Sequence, residues 1–152
     1  MRYRLEQQER KLDQLFQTIQ EIEDEEEQAI LAKFLCIRTS GFLETSVRNL
    51  IGEFMYKSSP QQIQSFVNKE IKYITNLKFD RLCQVLSNFD TNWKDQFIEQ
   101  ISDEQKASIN SIVSNRNNIA HGENDSISYH QMVKYYENAK EVVAILKDII
   151  KK

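Results

Sequence analysis

The chain is expected to fold as an all-α bundle, and three observations lead there. Its 152 residues contain only three Gly and one Pro, far below ordinary usage for these two helix-breaking residues. Apolar residues recur at helical spacing along most of the chain, and no stretch shows convincing period-two alternation. The capping-box pattern Ser-x-x-Gln occurs at Ser59/Gln62, Ser102/Gln105 and Ser128/Gln131. One Trp, six Tyr and eight Phe, with abundant Ile and Leu, rule out a disordered chain.

The elements follow in order. Leu5, Leu12 and Ile19 recur every seven residues, with Leu15 and Ile22 beside them. Residues 3–22 therefore read as an amphipathic helix, which packs on its own domain or, on the sharper reading, on a partner helix. The run Glu23-Asp24-Glu25-Glu26-Glu27 suits a helix N-terminus, where the backbone dipole is positive. A second helix is expected from about residue 25 to about Tyr56, carrying Ile30, Leu31, Phe34, Leu35 and Ile37, with Thr39-Ser40-Gly41 as a soft point. Ser59 and Gln62 then form a capping box with Pro60 at the first helical position. The helix that follows turns Ile63, Phe66, Val67, Ile71 and Ile74 inward. A short helix runs from Phe79 to Phe89, and Asp90-Thr91-Asn92 turns into one bearing Trp93, Phe97, Ile98 and Ile101. Ser102 opens a helix with Ile109, Ile112 and Val113 that leads into Arg116. Residues 122–125 read as a loop, and Ser128 opens the last helix.

Length and composition limit the function. The size fits one domain spanning residues 1–152, enough to hide roughly two thirds of the unfolded surface. No window of 18 apolar residues is present, so no membrane span is expected, and the charged first 20 residues do not read as a secretory signal. Cys36 and Cys83 lie apart in apolar helical patterns. They read as reduced, buried thiols of a cytoplasmic protein, with a disulfide or a metal site as the lesser alternative. The net charge is −3. Residues 1–27 hold nine acids and four bases, so the other 125 residues are slightly basic, and the global charge does not forbid a local anion site.

The most chemically suggestive segment is Arg116-Asn117-Asn118-Ile119-Ala120-His121-Gly122. An arginine can grip phosphate oxygens as a fixed fork of donors, and an imidazole moves a proton near neutral pH. Cleavage of RNA by its own 2′-OH calls for these two capacities, with no metal or cofactor. Asn117 can orient the phosphate or the imidazole. Five residues along a regular helix separate two side chains by about 140°. The segment must therefore distort, end its helix at Gly122, or pair across two chains. Spacing alone leaves open the plainer reading of an exposed arginine and a capping histidine.

This segment resembles the Arg-x4–6-His signature of HEPN domains. The stretch from Cys36 to Arg48 is similar to the early helix of the RiboL-PSP type, as are Phe79-Asp80-Arg81-Leu82, Phe89-Asp90-x-x-Trp93 and Tyr135-Tyr136. The resemblance covers about residues 12–150. It implies a HEPN-like antiparallel helical bundle with additional short helices, which often dimerises face to face, and a metal-independent endoribonuclease of toxin–antitoxin or phage-defence systems. By resemblance, Arg116 and His121 are the catalytic pair, Asn117 the polar position, and Glu44 an acidic residue supporting His121. Arg48, one turn on, is a candidate substrate contact. Glu44 can also form an i,i+4 salt bridge to Arg48, and a carboxylate beside the imidazole would raise its pKa and orient it. Some members carry a tyrosine two residues after the histidine, where this chain has Glu123. His130 reads as a surface residue. Tyr129, Tyr135 and Tyr136 read as core and rim, with base stacking as the alternative.

Two functional expectations result. The first is a dimeric RNase, restrained by an antitoxin or other defence partner, that leaves a 2′,3′-cyclic phosphate. The second is a non-catalytic HEPN module for dimerisation or RNA docking.

Overall fold

The computed structural model describes residues 2–123 and 126–151, and these form seven helices and no strand. They are α1 (Arg2–Gln20), α2 (Glu25–Ser58), α3 (Gln61–Ile71), α4 (Phe79–Phe89), α5 (Thr91–Gln100), α6 (Asp103–Ala120) and α7 (Tyr129–Ile150). The expected all-α class holds, with α3 to α5 as the additional short helices. Of the loop expected at residues 122–125, Asn124 and Asp125 lie outside the described residues.

α2 is the spine. Its 34 residues span about 50 Å at 1.5 Å per residue. Asp24 starts it by accepting the Glu26 N–H at 3.0 Å, and Glu25, Glu26 and Glu27 stand in its first turn as the dipole prefers. The helix runs unbroken through Gly41, where a Cβ would meet nothing within 4 Å. The expected soft point is therefore not a break: Thr39 and Ser40 are buried, and the open spot is at Gly41 alone.

Cross-helix bonds fix the directions. Tyr136 Oη donates to the Asp13 carboxylate at 2.6 Å and Tyr129 Oη to the Phe16 carbonyl at 2.9 Å, so α7 runs antiparallel to α1. Phe16 stacks on Tyr136 at 4.5 Å, and Phe42 meets the edge of the same ring at 5.9 Å. Leu12, Phe16 and Ile19 join the common core, so α1 packs on its own bundle. Phe42 beside Tyr136, with Leu50 and Phe54 beside Ile150, makes α2 parallel to α7. Asn138 Nδ2 donates to Ser108 Oγ at 2.7 Å and Gln105 Nε2 to Glu141 at 2.9 Å, so α6 is antiparallel to α7. It follows that α6 is antiparallel to α2, and the two meet where the Cys36 thiol donates to the Ile112 carbonyl at 3.4 Å.

Two of the three expected capping boxes form, at Ser102/Gln105 and Ser128/Gln131. The third does not. Pro60 is itself the N-cap of α3, with φ −59° and ψ 157°, and Ser59 closes α2 one residue too early to reach the third N–H of α3. The inward face expected of α3 is also corrected. Val67 and Ile74 are buried, but Ile63 is 47% and Phe66 64% exposed. Ile30, Phe34, Ile37 and Ile98 are likewise exposed.

Candidate active site

α6 brings the motif to the surface at the edge of the core. Ile109, Ile112 and Val113 are buried at helical spacing, and Arg116 is the next residue on that stripe, one turn beyond Ile112. Arg116 is half-buried, and among the described residues its one side-chain hydrogen bond is Nη1 to Asn117 Oδ1 at 3.4 Å. It stands near the Cys36 thiol: burial pushes that thiol up to about 12, and the Arg116 charge pulls it partly back. The thiol therefore stays protonated and serves as a packed donor to Ile112.

The helix ends at the histidine. His121 is the C-cap with φ −95° and ψ 3°, and its N–H reaches the Asn117 carbonyl at 3.0 Å. Gly122 takes the left-handed φ of 67°. The Gly122 N–H then bonds the Ile119 carbonyl at 3.3 Å and the Glu123 N–H the Asn118 carbonyl at 2.9 Å. This is a Schellman ending, and glycine at its turning residue avoids the Cβ clash of that conformation. His121 is exposed, and its side chain makes no hydrogen bond to a described residue. Asn117 and Asn118 thus contribute their backbone carbonyls to this ending. No hydrogen bond joins Arg116 to His121 among the described residues.

The other expected site residues lie apart. Arg48 donates Nε at 3.1 Å and Nη2 at 2.7 Å to the Ile74 carbonyl, pinning the α3–α4 connection to α2. With its fork so occupied, the expected Glu44–Arg48 salt bridge does not form, and half-buried Glu44 has no ion pair among the described residues. Helix direction separates Glu44 from the motif. From the Cys36–Ile112 contact, α6 carries His121 toward the N-terminal end of α2, while Glu44 lies about 12 Å the other way along α2. One chain alone does not bring Glu44 to His121.

A family model for RiboL-PSP-HEPN matches residues 3–152. The chain belongs to the RiboL-PSP-HEPN family. No curated protein and no solved structure matches it. HEPN membership points to a nuclease or RNA-related role, and in this chain Arg116 lies five residues before His121, the C-cap of α6. Among the described residues no group of three or more His, Cys, Asp or Glu could hold a metal ion, and no helix is long and apolar enough to cross a membrane. Tyr136 is buried and Tyr129 half-buried, both bonded to α1, so they serve packing; His130 is exposed.

Sequence reasoning missed two features. The contact of Cys36 with α6 depends on helix pairing and left no local signal. The exposure of Phe66 and Tyr73 did leave one, in the lysines interleaved with them.

Proposed function

We propose that this HEPN chain is a metal-independent endoribonuclease acting as a two-fold pair of chains. One observation carries the reading: a half-buried arginine, bonded only to Asn117, lies five residues before an exposed imidazole whose side chain has no protein partner among the described residues. Both groups are left for a substrate.

The 2′-OH of RNA attacks the adjacent phosphorus as its proton leaves to a base. The bond from phosphorus to the 5′ oxygen breaks as that oxygen takes a proton, and a 2′,3′-cyclic phosphate remains. His121 accepts or delivers the proton. Arg116 holds the non-bridging oxygens as their charge grows, and Asn117 steadies the guanidinium.

The exposed Ile30, Phe34 and Ile37 on α2 support association of two copies. An antiparallel pairing of α2 about Gly41 sets Glu44 opposite the partner subunit's Arg38. It also brings the partner subunit's Glu44 back toward the level of Arg116. At 1.5 Å per residue this pairing still leaves the partner subunit's Glu44 about 16 Å from the level of His121, so support of the imidazole by Glu44 needs a pairing centred nearer the N-terminal end of α2. Arg48 keeps its structural bond, which leaves it less free as a substrate contact. A nuclease of this kind suits a cytoplasmic toxin or defence effector held in check by an antitoxin or other partner protein.

The test is cleavage of RNA in excess EDTA by the wild-type chain and by His121→Ala and Arg116→Ala. Wild-type cleavage leaving cyclic phosphate ends, lost by at least about a hundredfold in either variant, is expected. Equal cleavage by all three, or a strict need for a divalent ion, would overturn the mechanism. RNA binding without cleavage would favour a non-catalytic HEPN docking module.

A further inference from the structure

Among the described residues, the α3 region carries the most exposed aromatic surface. Tyr56 is 69%, Phe66 64% and Tyr73 74% exposed. Phe66 and Tyr73 lie in the most basic part of the sequence, with Tyr56 at its edge: residues 57–81 hold five cations (Lys57, Lys69, Lys72, Lys78 and Arg81) against Glu70 and Asp80, in a chain of net charge −3. Phe66 and Lys69 stand three residues apart on α3, and Tyr73 follows two residues past its end. Lys69, Lys72 and Lys78 are exposed and have no ion pair among the described residues. A cleft of about 280 Å³ opens between α3 and α4, with Phe66 and Tyr73 on one wall and Arg81 and Asn88 on the other.

We infer that this surface is a docking platform for single-stranded RNA, an inference that rests on the RNA reading above. Unpaired bases stack on Phe66 and Tyr73, while the lysines and Arg81 follow the phosphates; bare aromatics interleaved with cations are what a strand with exposed π-faces needs. A helix of a protein partner would want apolar cover without so many unpaired cations, and a duplex hides its base faces. Position supports the role. The segment that follows Tyr73 is held by Arg48 at the Ile74 carbonyl and by Asn110, whose Oδ1 accepts the Phe79 N–H at 2.8 Å. Asn110 lies six residues before Arg116 on α6, about 9 Å along the helix. A strand lying on the platform is thereby led toward the catalytic arginine. The platform supplies affinity and a preference for unstructured RNA, which the small Arg116–His121 pair does not.

The experiment measures binding of a labelled, unstructured RNA oligonucleotide of about 20 nucleotides to the full chain carrying His121→Ala, which keeps the probe intact. Adding Phe66→Ala and Tyr73→Ala is expected to weaken binding about tenfold or more, as loss of one to two stacked bases does. Phe66→Trp should restore it, and Phe66→Leu should not. Lys69→Gln with Lys72→Gln should flatten the slope of log K against log salt by about 1.4, the single-strand value for two phosphate contacts. A duplex of the same sequence should bind more weakly and ignore the aromatic substitutions.

Unchanged affinity and salt slope would overturn the platform, as would an altered molecular mass with RNA binding intact, since that result makes α3 a protein interface. The two readings fail separately. Cleavage with no effect at Phe66 and Tyr73 removes the platform alone. Platform-dependent binding by a wild-type chain that cuts nothing removes the catalytic reading alone.

Discussion

α3 and α4 have the same length, 11 residues, and each is amphipathic, yet they sit differently. α4 buries Leu82, Cys83, Val85 and Leu86, whereas α3 buries only Val67. α4 is also fastened at its start, because Asn110 of α6 takes the first N–H at 2.8 Å. α3 begins at Pro60 with no side-chain cap, tied at that end by Gln64, whose Nε2 donates to the Ser59 and Tyr56 carbonyls. The pair teaches that an apolar stripe announces a face without saying what covers it. For α4 the cover is the domain's own core. For α3 the apolar side chains are left in solvent among lysines, and that mixture distinguishes a recognition surface from a packing surface.

The largest effect separating them should appear in stability. Leu86 is fully buried, and Leu86→Ala is expected to cost about 2–5 kcal/mol, the range for deleting a packed leucine. Phe66→Ala removes a larger side chain but should shift stability by less than about 0.5 kcal/mol, as exposed positions do. Urea midpoints of the two variants measure this directly. A loss at Phe66 comparable to that at Leu86 would break the comparison.

A smaller difference is expected at the helix starts. Asn110→Ala leaves the Phe79 N–H without its acceptor and should cost about 1–2 kcal/mol. Ser59→Ala should cost under about 0.5 kcal/mol, because the Ser59 side chain caps nothing and only its backbone carbonyl is used. Chemical denaturation of both, with unchanged slopes, is the check. A loss at Ser59 near 1 kcal/mol would reinstate the capping box read from the sequence.

The same contrast explains what was legible in advance. α4 was readable to the residue, Phe79–Phe89, since its stripe and its burial coincide. Ser102 and Ser128 cap as read, because each is followed by a regular first turn that Gln105 and Gln131 can complete. Ser59 failed since proline took the capping place. In the site, Gly122 gave away the helix end, a local matter of backbone conformation. Glu44 could not be placed from sequence. Its separation from His121 follows from the antiparallel pairing of α2 and α6 and their meeting at Cys36 and Ile112, which are 76 residues apart in the chain. Arg48 was likewise claimed by a carbonyl 26 residues away.

The least disruptive test of the comparison uses thiols. Cys83 on α4 is 8% exposed, and burial, with the Asp80 charge adding to it, pushes its thiol up; Cys36 on α2 is pushed up to about 12. In the folded chain both are protonated at pH 8 and shielded, so an uncharged thiol reagent should modify them only as fast as the protein opens. A Phe66→Cys variant places a third thiol on the exposed face of α3, where modification should proceed at the rate of an unstructured peptide thiol. The pH dependence carries a sign. Both folded thiols are raised above the ordinary thiol value of 9.0, so the folded state holds these protons more tightly than the unfolded chain. Their contribution to stability is complete below that value and declines as pH rises through the folded values, so the urea midpoint should fall between pH 8 and pH 10. Fast labelling of Cys83 alongside position 66 at pH 8 would mean that α4 opens as readily as α3, and the distinction between a packed helix and a presented one would be lost.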